Sequence, residues 1–258
     1  MTVTKDDIKK GLREVCLKQG DLVMVHSSLS SFGYVEGGAD AVIDALLETV
    51  GPEGTVMVPA FSSGDPNPFD PRTSPSRVGR ITEVFRMRKE VVRSLHPTHS
   101  VAAIGRDAIA LTKDHDKTSP FGKDSPLDRL VDRDGYVLFL GAPLTSNSTV
   151  HVAERRAGVP YSLERGVQVL DEDGVVQEVH LTEMPGHSGG FGKVEEPLKR
   201  RGAIQETTID MSHVRLMRAK DLIEVAMQML KEDPAALLCD DPNCNWCTGA
   251  REQIARDA

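Results

Sequence analysis

Residues 22–59 read LVMVHSSLSSFGYVEGGADAVIDALLETVGPEGTVMVP, and this stretch decides the fold. Leu22 to Val25 is a short apolar run that stops at the polar cluster His26-Ser27-Ser28. Ala39 to Val50 carries apolar residues at helical spacing until Gly51-Pro52 breaks it, and Thr55 to Pro59 repeats the buried-strand pattern. Two apolar strands joined through a helix describe a βαβ unit, so parallel pairing with a right-handed crossover is expected.

Working outward, Asp6 to Gln19 puts Ile8, Leu12, Val15 and Cys16 on one helical face, with Thr4 as the N-cap and Gly20 as the stop. Ser62 to Ser76 is proline-rich and aperiodic, which predicts a long loop of the lid or binding kind. Ile81 to Val92 reads as a helix, and Val101 to Ile104 and Tyr136 to Leu140 read as buried strands feeding Gly105 and Gly141. Gln168 to Leu170 and Val175 to His180 flank Asp171-Glu172-Asp173-Gly174, whose Asp-Gly pair predicts a hairpin and places the antiparallel part late in the chain. Lys193 to Arg201 and Lys220 to Lys231 are expected helices around a strand at Val214 to Met217. The class is therefore α/β with a late antiparallel hairpin. The 258 residues fit one domain, 1–258, ending in a cysteine-rich segment, 237–258.

Lys and Arg number 31 against 39 Asp and Glu, a net charge of −8. That balance argues against sequence-independent nucleic-acid binding, which needs a basic surplus facing phosphates, and tilts toward a cationic small-molecule substrate. No apolar run reaches the roughly 18–20 residues of a membrane span, and Thr2 to Lys10 is polar, so a cytoplasmic protein without membrane attachment is expected. Cys16 stands alone while Cys239, Cys244 and Cys247 cluster, which is no extracellular disulfide framework.

Several segments carry chemistry. His26-Ser27-Ser28-Leu29-Ser30-Ser31-Phe32-Gly33 is a hydroxyl-rich loop at a strand end, suited to receive phosphate or carbonyl oxygens, though it lacks the P-loop and dinucleotide spacings. His96-Pro97-Thr98-His99 has no Asp or Glu beside it and reads as a structural turn before a strand. Leu140 to Glu154 takes a strand end through a polar loop to Ser148 or Thr149, either able to cap a short helix that carries His151 and, three residues on, Glu154. A histidine placed there is a candidate general base; a carboxylate able to reach it would orient the ring, and Glu183, beyond the hairpin, is the candidate for that part. Gly186-His187-Ser188-Gly189-Gly190 matches the nucleophile-elbow pattern, which keeps a serine hydrolase using Ser188 as an alternative; Pro185 before it and the hairpin strand upstream speak against that reading. The tail offers three thiolates where a structural zinc wants four ligands; a fourth would have to come from Asp240, Asp241 or a distant histidine, and no metal is assigned.

Taken together, five ordered blocks resemble the aminoglycoside 3-N-acetyltransferase family. They are His26 to Gly33 with Gly37-Gly38; Arg93-Ser94-Leu95-His96-Pro97 with Ser100; Ser125-Pro126-Leu127; Asp134-Gly135-Tyr136-Val137-Leu138 with Leu140-Gly141; and Ser146-Asn147-Ser148-Thr149-Val150-His151 with Glu154. The resemblance runs from about Gly11 to Met229 and leaves the cysteine-rich tail outside it. It implies a mixed central β-sheet flanked by helices, and direct transfer from acetyl-CoA, as co-substrate, to an amine of an aminoglycoside in a ternary complex. It makes His151 the catalytic base with Glu183 near its partner. His26, Ser27, Ser28, Leu29, Ser30, Ser31 and Gly33, with Pro97, Ser100, Val101 and Thr149, would line the CoA site. Amides of the Ser28 to Ser31 loop or the Thr149 hydroxyl would meet the oxyanion, and Asp65, Asp70 and Glu154 the substrate ammonium groups. A monomer or homodimer is expected.

Overall fold

The computed structural model describes residues 2–171, 173–184 and 187–257. In chain order its elements are β1 (Thr2–Val3), α1 (Lys5–Glu14), β2 (Leu22–Ser27), β3 (Tyr34–Val35), α2 (Gly38–Val50), β4 (Thr55–Pro59), α3 (Arg80–Arg86), β5 (Val92–Arg93), β6 (Val101–Gly105), α4 (Ala108–Thr112), α5 (Pro126–Asp132), β7 (Tyr136–Leu140), α6 (Val150–Ala157), β8 (Leu163–Leu170), β9 (Val176–Glu183), α7 (Glu195–Arg200), β10 (Ile204–Ile209), β11 (Ser212–Arg218), α8 (Ala219–Glu232) and α9 (Asn245–Asp257). Among the described residues no helix is long and apolar enough to cross a membrane.

A seven-stranded sheet in the order β10-β11-β7-β2-β4-β6-β5 forms the centre. As expected, β2 runs parallel to β4, and also to β7. Antiparallel pairing is not confined to the end of the chain: β6 returns antiparallel on β4, so both flanks of the parallel trio are antiparallel. The expected hairpin exists as β8 and β9 and forms a separate two-stranded sheet; in its turn, Glu172 lies outside the described residues.

The two faces of the sheet follow the period of two in its strands. Val23, Val25, Val56, Val58, Leu138 and Leu140 pack under α1, α2 and α3 with Leu12, Leu46 and Phe85. The alternate residues Met24, Met57, Val137, Phe139 and Met217 pack against α4, α5, α6 and α8 with Leu111, Leu127, Val152 and Leu222. Both strand faces are covered, which is why the strands read as unbroken apolar runs.

Helix ends follow their local chemistry. Thr4 and Asp7 cap α1 reciprocally. That helix ends at Glu14, short of the expected Gly20, because Cys16 takes a left-handed backbone (φ 68) and lets Leu17 turn into the core. The expected helix at Ile81 to Val92 stops at Arg86, and Val92-Arg93 joins the sheet edge beside β6. The cysteine-rich segment is no detached tail: Leu237, Leu238, Cys239, Cys247 and Ala250 belong to the same core layer as α8.

Candidate active site

Because β2, β4 and β7 are parallel, their carboxyl ends meet at one edge of the sheet, and β6 starts there opposite Pro59. The chain leaves β7 through Gly141, whose positive φ (67) and close approach both require glycine; a Cβ there would stand 1.7 Å from Ser31 Oγ. A cleft of about 390 Å³ opens at this edge. Its walls are His26, Ser27 and Ser28 at the end of β2, Pro59, Phe61 and Ser63 at the end of β4, Val78, His99 before β6, Ala142, Pro143, Ser146 and Ser148 after β7, and Phe121, His151 and Ser188.

His151 projects from the first turn of α6 and is 7% exposed. Its Nδ1 lies 2.5 Å from Glu154 Oε2, while Glu154 Oε1 accepts from the Tyr161 hydroxyl at 2.7 Å. A carboxylate can only accept, so Nδ1 carries the hydrogen and Nε2 is the basic ring nitrogen. The ring is clamped between Phe121, stacked at 4.6 Å between centroids, and Phe191, edge-on at 4.7 Å. Burial and the neighbouring Glu154 carboxylate raise the Tyr161 phenol well above its ordinary range, so it stays a donor.

The polar loop before α6 does not cap the helix. Neither Ser148 nor Thr149 makes a side-chain cap bond; their hydroxyls, both amide atoms of Asn147, His26 Nε2 and Ser27 Oγ are buried without a partner. Buried polar atoms of this kind are normally satisfied, so this row of donors and acceptors at the cleft fits a polar ligand. His26 stacks on Phe139 at 5.1 Å, and burial pushes its pKa down to about 4, which keeps it neutral.

Other candidates fall elsewhere. Glu183 does not reach His151; the carboxylate on that ring is Glu154, which the sequence had suggested for substrate. Glu183 instead accepts from Thr98 Oγ1, lies 3.3 Å from His99 Nδ1 and faces Arg165. Burial raises its pKa, but the His99 and Thr98 contacts and Arg165 outweigh this and hold it low. Two histidine–carboxylate pairs thus flank Phe121, whose centroid is 5.0 Å from that of His99. Within the turn, His96 has a structural part, its Nδ1 accepting the amides of Thr98 and His99, whereas His99 lines the cleft and meets Glu183, an acidic partner the local sequence does not contain.

Asp65 pairs with Arg77 at 2.6 Å, and Asp70 holds the side chains of Arg72 and Thr73; neither lines the cleft. Ser100 is bound to Ala60 O and Arg93, Val101 lies in the core and Pro97 O accepts from Ser62, so these three stand behind the cleft wall rather than in it. Of the serine loop, Leu29, Ser30, Ser31 and Gly33 are not among the lining residues, and the amides of Ser28 and Ser31 already donate to Leu140 O and Ser28 O. Thr149 keeps an unpartnered hydroxyl but is fully buried and likewise not among the lining residues. The elbow pattern is only partly visible, since Gly186 lies outside the described residues; Ser188 lines the cleft, and His187 lies against Cys247 instead of Ser188.

Sequence reasoning missed Tyr161, Phe121, Phe191 and the role of His99. Tyr161 carries no spacing signal toward Glu154. His99 was visible as a histidine, but its carboxylate arrives from β9, far along the chain.

A buried imidazole oriented by a carboxylate, opening on a cleft rimmed with unpartnered hydroxyls, defines an enzyme site built around a general base and a polar substrate. The chain belongs to the aminoglycoside 3-N-acetyltransferase family, whose match spans residues 24–231. It is 34% identical to aminoglycoside N(3)-acetyltransferase IV of a Salmonella species, over 85% of this chain and 84% of that protein. Among solved structures, the apoenzyme of aminoglycoside acetyltransferase AAC(3)-IVa superposes with a TM-score of 0.92 at 32% identity, covering 98% of both chains. The AAC-IIIb binary complex with CoASH gives 0.83 at 27%, covering 90% of this chain and 97% of that one.

Proposed function

We propose that this enzyme acetylates the 3-amino group of an aminoglycoside antibiotic with acetyl-CoA, by direct transfer in a ternary complex, and so confers resistance. The carrying observation is the His151–Glu154 contact at 2.5 Å within a cleft lined by unpartnered polar atoms. An ordinary primary ammonium, with a pKa of about 10.4, costs roughly 4–5 kcal/mol to deprotonate near neutral pH. The ammonium gives its first proton to solvent, and His151 Nε2 takes the second as the neutral amine nitrogen attacks the thioester carbonyl carbon, leaving a neutral amide nitrogen after collapse. A positioned base of this kind contributes about 10²–10⁴-fold. The carbonyl oxygen becomes an oxyanion, for which the unpartnered Ser27 and Ser148 hydroxyls in the cleft wall, with Thr149 buried next to Ser148, offer donors. Collapse breaks the carbon–sulfur bond, and the imidazolium returns the proton to the leaving thiolate. Glu154 fixes the tautomer and stabilises the imidazolium; Tyr161 holds Glu154.

Holding amine and thioester together supplies roughly another 7–11 kcal/mol, so no covalent enzyme intermediate is required. Crystallised relatives support the substrate class: a histidine-to-alanine variant of AAC(3)-IVa is solved in complex with apramycin, with a TM-score of 0.84 at 31% identity over 95% of this chain and 98% of that one. The reading places the enzyme in the cytoplasm, as monomer or homodimer, with no nucleic-acid partner; the net charge of −8 supports the last point.

Thiol release from acetyl-CoA across an aminoglycoside panel tests this, with the acetylated position read by NMR. Amine-dependent release with acetyl on the 3-amino group is expected. Absence of release for every aminoglycoside, while CoA still binds, overturns the reading.

A further inference from the structure

A second cluster, of His187 and three cysteines, lies outside the lining of the cleft. His187 follows β9, Cys239 ends the segment after α8, and Cys244 and Cys247 bracket the start of α9. Their donor atoms all lie within 4.8 Å of one another. Cys247 Sγ is 3.3 Å from His187 Nδ1 and accepts the Cys239 amide, also at 3.3 Å. All three are free thiols, and Cys239 and Cys247 are buried. We infer that His187, Cys239, Cys244 and Cys247 form a structural zinc site.

The donor set and its shape carry this. Zinc binds three thiolates and an imidazole tetrahedrally; with zinc–sulfur bonds of about 2.3 Å the sulfurs stand roughly 3.8 Å apart, close to the observed clustering. Three thiols cannot all be satisfied by one disulfide, whereas one metal uses all three plus the imidazole. The four protein ligands leave no open position, so the site is structural and not catalytic. Three thiolates with one divalent ion leave a net negative charge, and Arg251, which donates to Cys239 O, puts a cation next to the cluster; Lys193 donates to Leu238 O but is already paired with Asp240. An N–H to sulfur bond such as that from Cys239 orients a ligand thiolate.

The site has a consequence for the cleft. It fastens the segment after β9 to the C-terminal helix, and that segment carries Ser188 in the cleft wall and Phe191 against the His151 ring. Zinc acts here as a clasp that sets the wall behind the base.

Metal analysis of the full-length protein, purified without chelator from zinc-supplemented cells, is the test. About one zinc per chain is expected, together with three thiols that react with a thiol reagent only after chelation. Cobalt substitution should give the absorption of a tetrahedral thiolate site. Cys247→Ser should lose the metal, whereas Cys16→Ser, which alters the isolated thiol, should keep it. Should Cys247→Ser fail to fold, His187→Cys keeps four donors and is expected to retain zinc with a shifted cobalt spectrum. A zinc content below a tenth per chain, iron in its place, or tail thiols equally reactive before and after chelation overturns the inference.

Discussion

Replacing Glu154 with glutamine probes the least obvious part of the site. The change keeps the shape of the side chain and lets its oxygen accept from either His151 Nδ1 or Tyr161, but it removes the negative charge facing the imidazole. A hydrogen bond to a charged group contributes about 1.5–3 kcal/mol, and the imidazolium exists only once the amine proton has been taken. Little of that loss falls on the ground state. At about 1.36 kcal/mol per decade, kcat should drop roughly 10- to 150-fold while KM for acetyl-CoA stays within about twofold. Steady-state thiol release with a saturating aminoglycoside measures both constants. Glu183→Gln is the comparison: that carboxylate holds Thr98 and His99, so its loss should affect stability and KM more than kcat. A Glu154→Gln enzyme with parental kcat, beside a Glu183→Gln enzyme that has lost it, would refute the assignment and restore Glu183 as the partner.

Acid stability should follow His26. Burial lowers its folded pKa from 6.5 to about 4, so between those values the unfolded chain binds the proton that the folded one refuses. Stability is therefore complete above pH 6.5 and falls as pH drops toward 4, by about 3 kcal/mol from this residue alone. His26→Asn should reduce that slope in urea titrations taken across the window, leaving the part due to His96 and His115, which burial also holds low; an unchanged slope contradicts it. Gly141→Ala should destabilise the fold by about 1–3 kcal/mol, through a left-handed backbone and a Cβ against Ser31 Oγ, and calorimetry should show a lowered Tm. An unshifted Tm would mean that the turn after β7 is not under that constraint.

The strands that carry the cleft were legible because each is buried on both faces and reads as a compact apolar run. Leu22 to Val25, Thr55 to Pro59 and Tyr136 to Leu140 are such runs. β10 was missed because Ile204 to Ile209 is an edge strand with mostly polar residues and no such run. α9 was missed because Asn245 to Asp257 marks its buried face with little more than Cys247, Ala250 and Ile254, too few large apolar residues to read as a helical stripe. His151 was legible at its helix start, and Glu154 was seen three residues on but given a different task. Spacing alone puts both on one face; it does not say which carboxylate closes on the ring. That choice is made by Tyr161, Phe121 and Phe191, which come from other elements and pack His151 toward Glu154 while Glu183 is drawn to His99. The same distance in sequence hid the fourth member of the cysteine cluster.

The central claim, that His151 Nε2 takes the amine proton, is tested most directly by His151→Ala in the thiol-release assay, with circular dichroism and CoA binding as controls for the fold. The account predicts a loss of about 10²–10⁴-fold in kcat for every accepted aminoglycoside, with CoA affinity retained. A folded His151→Ala enzyme that acetylates those aminoglycosides within a few-fold of the parent rate would contradict it.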